Sequence, residues 1–386
     1  IEGSNKYFFY IRPRRFGKSL TLSMLENYYD INKKDDFETI FGGLYIGKNP
    51  TPEHNTYLVI HLNFAEVDSG LDDYKEGLDT HCRLVFEDFC TRYAALLPQG
   101  TKEEMKSEQG AIAQLRFLCQ KCAEVKQKIY LFIDEYDNFT NMILSSEEHL
   151  ERYKGQTHGE GYLRRFFNTI KGAANTSLGR IFVTGVSPVT MDDLTSGFNI
   201  GTNYSLKPRF NEMTGFTEEE VRDMLSYYAG VLPFNHTVDK LIEIMKPWFD
   251  NYCFAINSYG KTTMYNSIMV LNFVDNYIEN DCNIPDKMVE PNIRIDYSKI
   301  RMLIRHDKEF AHDASIIQEL VTKGYATGNL VENFPADRIN DPDNFLSLLF
   351  YFGLVTIDGE YKGSTKFIIP NEVVRDQIYT YLLDTY

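Results

Sequence analysis

Along the first half of the chain, short and almost uniformly apolar runs alternate with longer amphipathic stretches. Tyr7-Phe8-Phe9-Tyr10-Ile11, Tyr57 to Phe64, Lys128 to Ile133 and Arg180 to Gly185 are short and rich in aromatic or β-branched residues. That pattern predicts strands buried on both faces. Between the first two, Leu22, Leu25 and Tyr29 recur at helical spacing with Met24 and Tyr28 beside them. They predict an amphipathic helix beginning near Ser19, with these side chains in the core. Asp73 to Leu97, closed by Pro98-Gln99-Gly100, then Gly110 to Lys126 and Gly159 to Gly172, read as further helices. Phe41 to Pro52, rich in Gly and Pro, reads as loop. Strands alternating with helices imply right-handed crossovers and a parallel sheet that binds its ligands at the strand C-terminal ends.

From Met213 the pattern turns helical. Thr217-Glu218-Glu219-Glu220 has the form of a capping box, and Val238–Met245 and Met264–Ile278 lie in a helical region extending to about Lys323. Asp341 to Tyr386 reads as helix (Asn344–Phe352), strand (Leu354–Ile357), strand (Thr365–Ile369) and helix (Asn371–Leu383), a small α+β unit of winged-helix character. The expected division is a core over 1–212, a helical domain over 213–340 and the winged-helix-like unit over 341–386.

Chemistry enters at Arg12-Pro13-Arg14-Arg15-Phe16-Gly17-Lys18-Ser19. A strand, a glycine-containing loop, Lys-Ser and a helix make the context of a phosphate-binding loop, in which helix N–H groups face the phosphates. Lys18 can reach the β/γ-phosphates and Ser19 can hold Mg²⁺. The match is one position short, because Arg12 stands where the first glycine would be. Its complement is Ile129-Tyr130-Leu131-Phe132-Ile133-Asp134-Glu135, an apolar run delivering two acids to a strand end. Asp134 would hold the Mg²⁺ shell and Glu135 would polarise the attacking water. Thr184 ends another strand. If that strand lies between the other two, its hydroxyl can meet the water or γ-phosphate; otherwise it simply ends a strand. His61 reads as an ordinary strand residue.

At 386 residues the chain has room for two or three domains. With 40 Lys and Arg against 55 Asp and Glu, its formal charge of −15 argues against a chain-wide nucleic-acid surface. Tyr297 to Asp307 carries Lys299, Arg301, Arg305 and His306, readable as a basic docking face or a solvated helix face. Six scattered cysteines read as reduced thiols of a cytoplasmic protein, and Cys119-x-x-Cys122 lacks the further ligands of a zinc site. No apolar run approaches the roughly 20 residues of a membrane helix.

The stretches R-P-R-R-F-G-K-S-L, L-F-I-D-E-Y-D-N, T-G-V-S-P-V-T-M-D-D-L-T-S-G-F-N-I-G-T-N and G-F-T-E-E-E-V resemble the bacterial AAA-ATPase-like family, from Tyr7 to about Tyr386. The resemblance implies an α/β P-loop NTPase fold of the class whose catalytic Glu follows the Mg²⁺-binding Asp. A parallel sheet flanked by helices would be followed by an α-helical lid and the C-terminal winged-helix-like unit. It implies ATP and Mg²⁺ as cofactors, Arg12 as the family's usual residue, and a nucleotide site running from Arg12 through Leu20. A short segment before the first strand is expected to be missing. Members often carry a nuclease-like domain, of which no sign is seen here, so nucleic acid is expected only through a domain outside this chain. A homo-oligomer or a protein partner is an open expectation. ATPases of this appearance often bring an arginine to the γ-phosphate; Arg209 is the candidate, unless it pairs with Glu212, and Arg14 and Arg15 are others. The expected function is a Mg²⁺-dependent ATPase that moves its helical and C-terminal domains. The alternatives are a nucleotide-gated scaffold and an accessory of DNA processing. No N-K-x-D guanine reader is seen, so ATP is preferred over GTP.

Overall fold

The apolar runs of the first half become neighbouring strands of one sheet. The computed structural model describes residues 1–3, 5–68, 74–138, 161–189, 202–289, 311–339 and 341–385. Two compact units emerge: Ile1–Tyr10, Ser19–Gly185 and Val189–Asn203 form the first, and Ile11–Lys18, Val186–Pro188 and Tyr204–Tyr386 the second.

In chain order, β1 (Tyr7–Ile11) leads to α1 (Lys18–Tyr29), α2 (Phe37–Phe41), α3 (Tyr45–Lys48) and β2 (Leu58–Asn63). Then come α4 (Tyr74–Arg92), α5 (Thr101–Ser107), α6 (Gly110–Glu124), β3 (Ile129–Asp134), α7 (Tyr162–Ala173), β4 (Leu178–Gly185) and β5 (Thr202–Asn203). The strand order is β2-β3-β4-β1-β5. The β2–β3, β3–β4 and β1–β5 pairs are parallel, with Asn63 opposite Asp134 and Ile133 opposite Val183. Ile129 to Ile133 of β3 are 0–1% exposed, as a strand covered on both faces requires, whereas on β2 Leu58, Ile60 and Leu62 are buried on one face and His61 and Asn63 on the other are partly exposed. Aromatic stacking runs across the sheet: Phe8 on Phe182 at 4.9 Å and, along β3, Tyr130 on Phe132 at 4.2 Å between ring centroids.

Two local expectations change. The Phe41–Pro52 stretch is not all loop, since α2 ends in it and α3 lies within it; Phe37 and Phe41 pack on Tyr28, and those contacts hold short helices that propensity alone would not. On α1, Leu22, Tyr28 and Tyr29 are buried as expected, but Met24 is 49% exposed. Helical spacing puts Met24 about 160° from Leu22, beyond the buried stripe.

The second unit holds α8 (Glu218–Val231), α9 (Val238–Phe249), α10 (Ser267–Glu279), α11 (Ala311–Thr322), β6 (Ala326–Gly328), α12 (Pro342–Tyr351), β7 (Thr356–Tyr361), β8 (Ser364–Ile368) and α13 (Glu372–Thr385). The α8 capping box forms in full: Thr217 Oγ1 accepts the Glu220 N–H, and the Glu220 carboxylate accepts the Thr217 N–H. Val221, Leu225, Leu241, Met245, Met269 and Phe273 form the core of α8–α10, with Val373 of α13 joining it. β6, β8 and β7 form an antiparallel sheet in that order. Its third strand, Ala326–Gly328, precedes residue 341. The basic stretch Tyr297–Asp307 lies outside the described residues, as do residues 190–201 of the T-G-V-S-P motif.

Candidate functional site

The chain leaves the second unit at Lys18 and enters the first at Ser19, so each half of the motif has its own scaffold. In the first unit, Ser19 sits in the opening turn of α1 and Asp134 closes β3. The Ser19 hydroxyl donates to Asp134 Oδ2 at 2.6 Å, and Asp134 Oδ1 accepts the Glu135 N–H at 2.9 Å. Asp134 is 2% exposed. Glu135 is half-buried with φ +48°, a left-handed conformation that costs a non-glycine residue about 1 kcal/mol or more. The turn it starts packs tightly on the end of β4: a Cβ on Gly185 would stand 2.2 Å from Asp137 Oδ1. Only glycine permits that approach.

Thr184 meets the condition set for it, since β4 lies between β1 and β3. It is buried, and its hydroxyl donates to the Tyr10 carbonyl at 2.6 Å. The oxygen lone pairs remain as acceptors for a water.

His61 has more than a strand residue's role. Its Nδ1 lies 2.5 Å from Glu26 Oε1, and Glu26 follows Ser19 by two turns on the same face of α1. Helix α1 is therefore pinned to the sheet at Ser19–Asp134 and Glu26–His61, with Leu22 buried between. Burial pushes the His61 pKa down, but Glu26, with Asp134 and Glu66 adding their charge, outweighs it and raises the pKa above the usual value. For His81, burial wins and the pKa falls.

In the second unit the loop Arg12–Lys18 is held by its own set of contacts. Arg12 is 1% exposed. Its Nη1 donates to the Ile11 and Ser205 carbonyls at 3.0 and 2.8 Å, its Nη2 to the Phe210 carbonyl at 2.8 Å, and its guanidinium lies 4.2 Å from the Phe254 ring centre. The guanidinium is thus held by backbone carbonyls. Arg12 is not among the residues with positive φ, so its backbone has no need of the missing glycine. Pro13 is buried, its Cβ facing Gly353. Arg14 and Arg15 are half-buried, and Arg15 and Gly17 have φ of +69° and +82°. Phe16 meets both Tyr252 and Phe254 edge-on, at 4.9 and 5.2 Å between ring centroids. Lys18 is 6% exposed, and its Nζ donates to the Arg12 and Pro13 carbonyls at 3.1 Å each. Leu20 is 65% exposed. Arg209 is exposed, lies over the Phe210 ring at 4.8 Å, and makes no ion pair with Glu212 among the described residues.

The oxygen donors Ser19 and Asp134 suit Mg²⁺, which takes few protein ligands beside phosphate and water. No group of three or more His, Cys, Asp or Glu residues able to hold a metal occurs among the described residues. All six cysteines are buried free thiols. Among the described residues no helix is long and apolar enough to cross a membrane. Sequence reasoning missed Ser205, Tyr252, Phe254, Asn266 and Ser267, which hold the loop from up to 252 residues away; no local signal marks them.

A parallel sheet with a Lys-Ser loop after one strand, an Asp-Glu pair after another, and a third strand between them is the fold of a P-loop NTPase. The model of the family described as predicted AAA-ATPase matches residues 1–195, and the chain belongs to that family. Membership supports a nucleotide-binding ATPase. None of the curated proteins compared matches the chain. Among solved structures, it is similar to Cdc6p from Pyrobaculum aerophilum (13% identity, 98% of this chain and 87% of that one, TM-score 0.38). It is also similar to ORC2 from Aeropyrum pernix in ADPNP–ADP complexes (10%, 98% and 88%, TM-score 0.43) and to A. pernix ORC1 in complex with DNA (11%, 98% and 87%, TM-score 0.32). The fold assignment rests on the strand order, not on these distant likenesses.

Proposed function

We propose that the chain is a cytoplasmic, Mg²⁺-dependent ATPase that binds ATP phosphates along Arg12–Leu20. The observation that carries this reading is the 2.6 Å contact of the Ser19 hydroxyl with the Asp134 carboxylate, immediately after Lys18 at the start of α1. Ser19 and Asp134 would hold Mg²⁺, which supplies charge neutralisation at the phosphates when bound. Loop amides and the α1 N-terminus bind the phosphate oxygens. Lys18 exchanges its two carbonyl acceptors for phosphate, a stronger partner because it is charged. Glu135 orients the attacking water and takes its proton. Thr184, its own proton given to Tyr10, accepts a hydrogen bond from that water. Arg209, exposed and with no carboxylate partner among the described residues, is the arginine proposed for the γ-phosphate. Turnover moves the parts over 213–340 and 341–386.

Within the winged-helix-like unit, α12 is buried from Asn344 to Tyr351. That helix is not available to enter a DNA groove, which favours the ATPase reading over a DNA-processing accessory.

The test is Glu135→Gln. It should bind ATP as the wild type does, lose turnover, and retain ATP on gel filtration. Wild-type turnover by this variant would remove Glu135 and the mechanism with it.

A further inference from the structure

Resting on the nucleotide reading, we infer that Asn266, Ser267 and Gly215 are positioning residues for the phosphates of ATP, acting through the carbonyls of the loop. In a trans peptide the C=O and the next N–H point to opposite sides. Fixing a carbonyl therefore aims the following amide. The second unit fixes three in a row: the Arg14 carbonyl accepts from Asn266 Nδ2 at 3.5 Å, the longest of the set. The Arg15 carbonyl accepts from Ser267 Oγ at 3.1 Å and from the Ile268 N–H at 3.3 Å. The Phe16 carbonyl accepts from the Gly215 N–H at 3.0 Å.

The amides of Arg15, Phe16 and Gly17 are thereby turned to the opposite side of their peptide planes. Left-handed Arg15 and Gly17 curve the backbone between them. Successive amides in such a curve form an anion-binding concavity. Left-handed Arg15 is strained, so without its two donors the loop would relax. Gly215 cannot be replaced cheaply: its φ is +86°, and a Cβ would meet the Tyr265 carbonyl at 2.8 Å.

This arrangement also explains Arg12. A loop whose carbonyls are held from outside needs a firm anchor where it leaves β1, not a flexible glycine. The guanidinium supplies it through three carbonyls and the Phe254 face. One ammonium cannot reproduce that planar fork.

The experiment compares wild type, Ser267→Ala, Ser267→Thr and Asn266→Ser in the full chain. Affinity is read with a fluorescent ATP analogue and with inorganic triphosphate, beside KM, kcat and the ligand-free melting temperature. Asn266→Ser keeps a cap for α10, whose Met269 N–H the Asn266 side chain accepts, while losing the reach to Arg14. Ser267→Ala should weaken both ligands about three- to tenfold, the effect of one hydrogen bond. KM should rise in step with kcat unchanged, and Ser267→Thr should restore binding. Asn266→Ser should lie in the same direction. Wild-type affinity in both Ser267→Ala and Asn266→Ser, with only the melting temperature lowered, would overturn the inference and leave these residues structural. Wild-type protein that binds neither ligand would overturn the nucleotide reading itself.

Discussion

The Asp134→Asn substitution removes one charge while leaving the shape of the side chain unchanged. The carboxylate is 2% exposed and accepts two hydrogen bonds, from Ser19 Oγ at 2.6 Å and the Glu135 N–H at 2.9 Å. Asn keeps one acceptor for the Glu135 amide, and the Ser19 hydroxyl can rotate to accept from the new NH₂. The folding cost is the difference between a charge-assisted and a neutral hydrogen bond, about 1 kcal/mol, partly offset because no charge remains to be desolvated. The ligand-free melting temperature should then fall by no more than about 4 °C. Metal-dependent binding should respond far more. A carboxylate and a doubly charged cation about 4 Å apart attract by roughly 8 kcal/mol at an effective dielectric constant of about 20. Dehydration offsets most of this, but even about 1.4 kcal/mol left over is a tenfold change. Titrating a fluorescent ATP analogue with Mg²⁺ and with EDTA separates the terms. The variant should lose at least about tenfold in affinity with Mg²⁺ and match the wild type in EDTA. Retention of the full Mg²⁺ gain would refute the role given to Asp134.

The His61–Glu26 contact predicts a pH dependence. The folded His61 pKa is raised, so the pair's stabilisation is complete below the unfolded value of about 6.5 and is lost as pH rises through the folded one. Melting of wild type and Glu26→Gln from pH 6 to 9 should show a gap that closes with rising pH; a constant gap contradicts the pairing. Thr217→Ala removes one arm of the α8 capping box and should cost about 1 kcal/mol. Hydrogen exchange should quicken in the first turn of α8, and unchanged protection there would count against the cap.

Patterns that live within one segment were legible. Uniform apolar runs marked β1 to β4, because a buried strand tolerates little else. Thr217 and Glu220 marked a helix start because both partners of the box lie three residues apart. Lys18-Ser19 and Asp134-Glu135 were found by residue type and order, and the structure joins Ser19 to Asp134. What stayed hidden depends on distant partners. Two-residue β5 and three-residue β6 carry too little periodicity to be seen, and exist through pairing with β1 and β8. The anchoring of the Arg12 side chain was not legible, because its partners Ser205 and Phe210 lie more than 190 residues on. Likewise His61 looked ordinary because Glu26 lies on another element, and sequence gives no distance between them.

The loop Arg12–Ser19 is proposed to bind the phosphates of ATP. The most direct test is the affinity of wild type and Lys18→Ala for ATP and GTP with Mg²⁺, with the ligand-free melting temperature as a control for folding. The wild type should bind ATP more tightly than GTP. Lys18→Ala should weaken ATP binding by at least about tenfold while remaining folded. A wild-type chain that binds neither nucleotide, or a folded Lys18→Ala that binds ATP as tightly as the wild type, would contradict it.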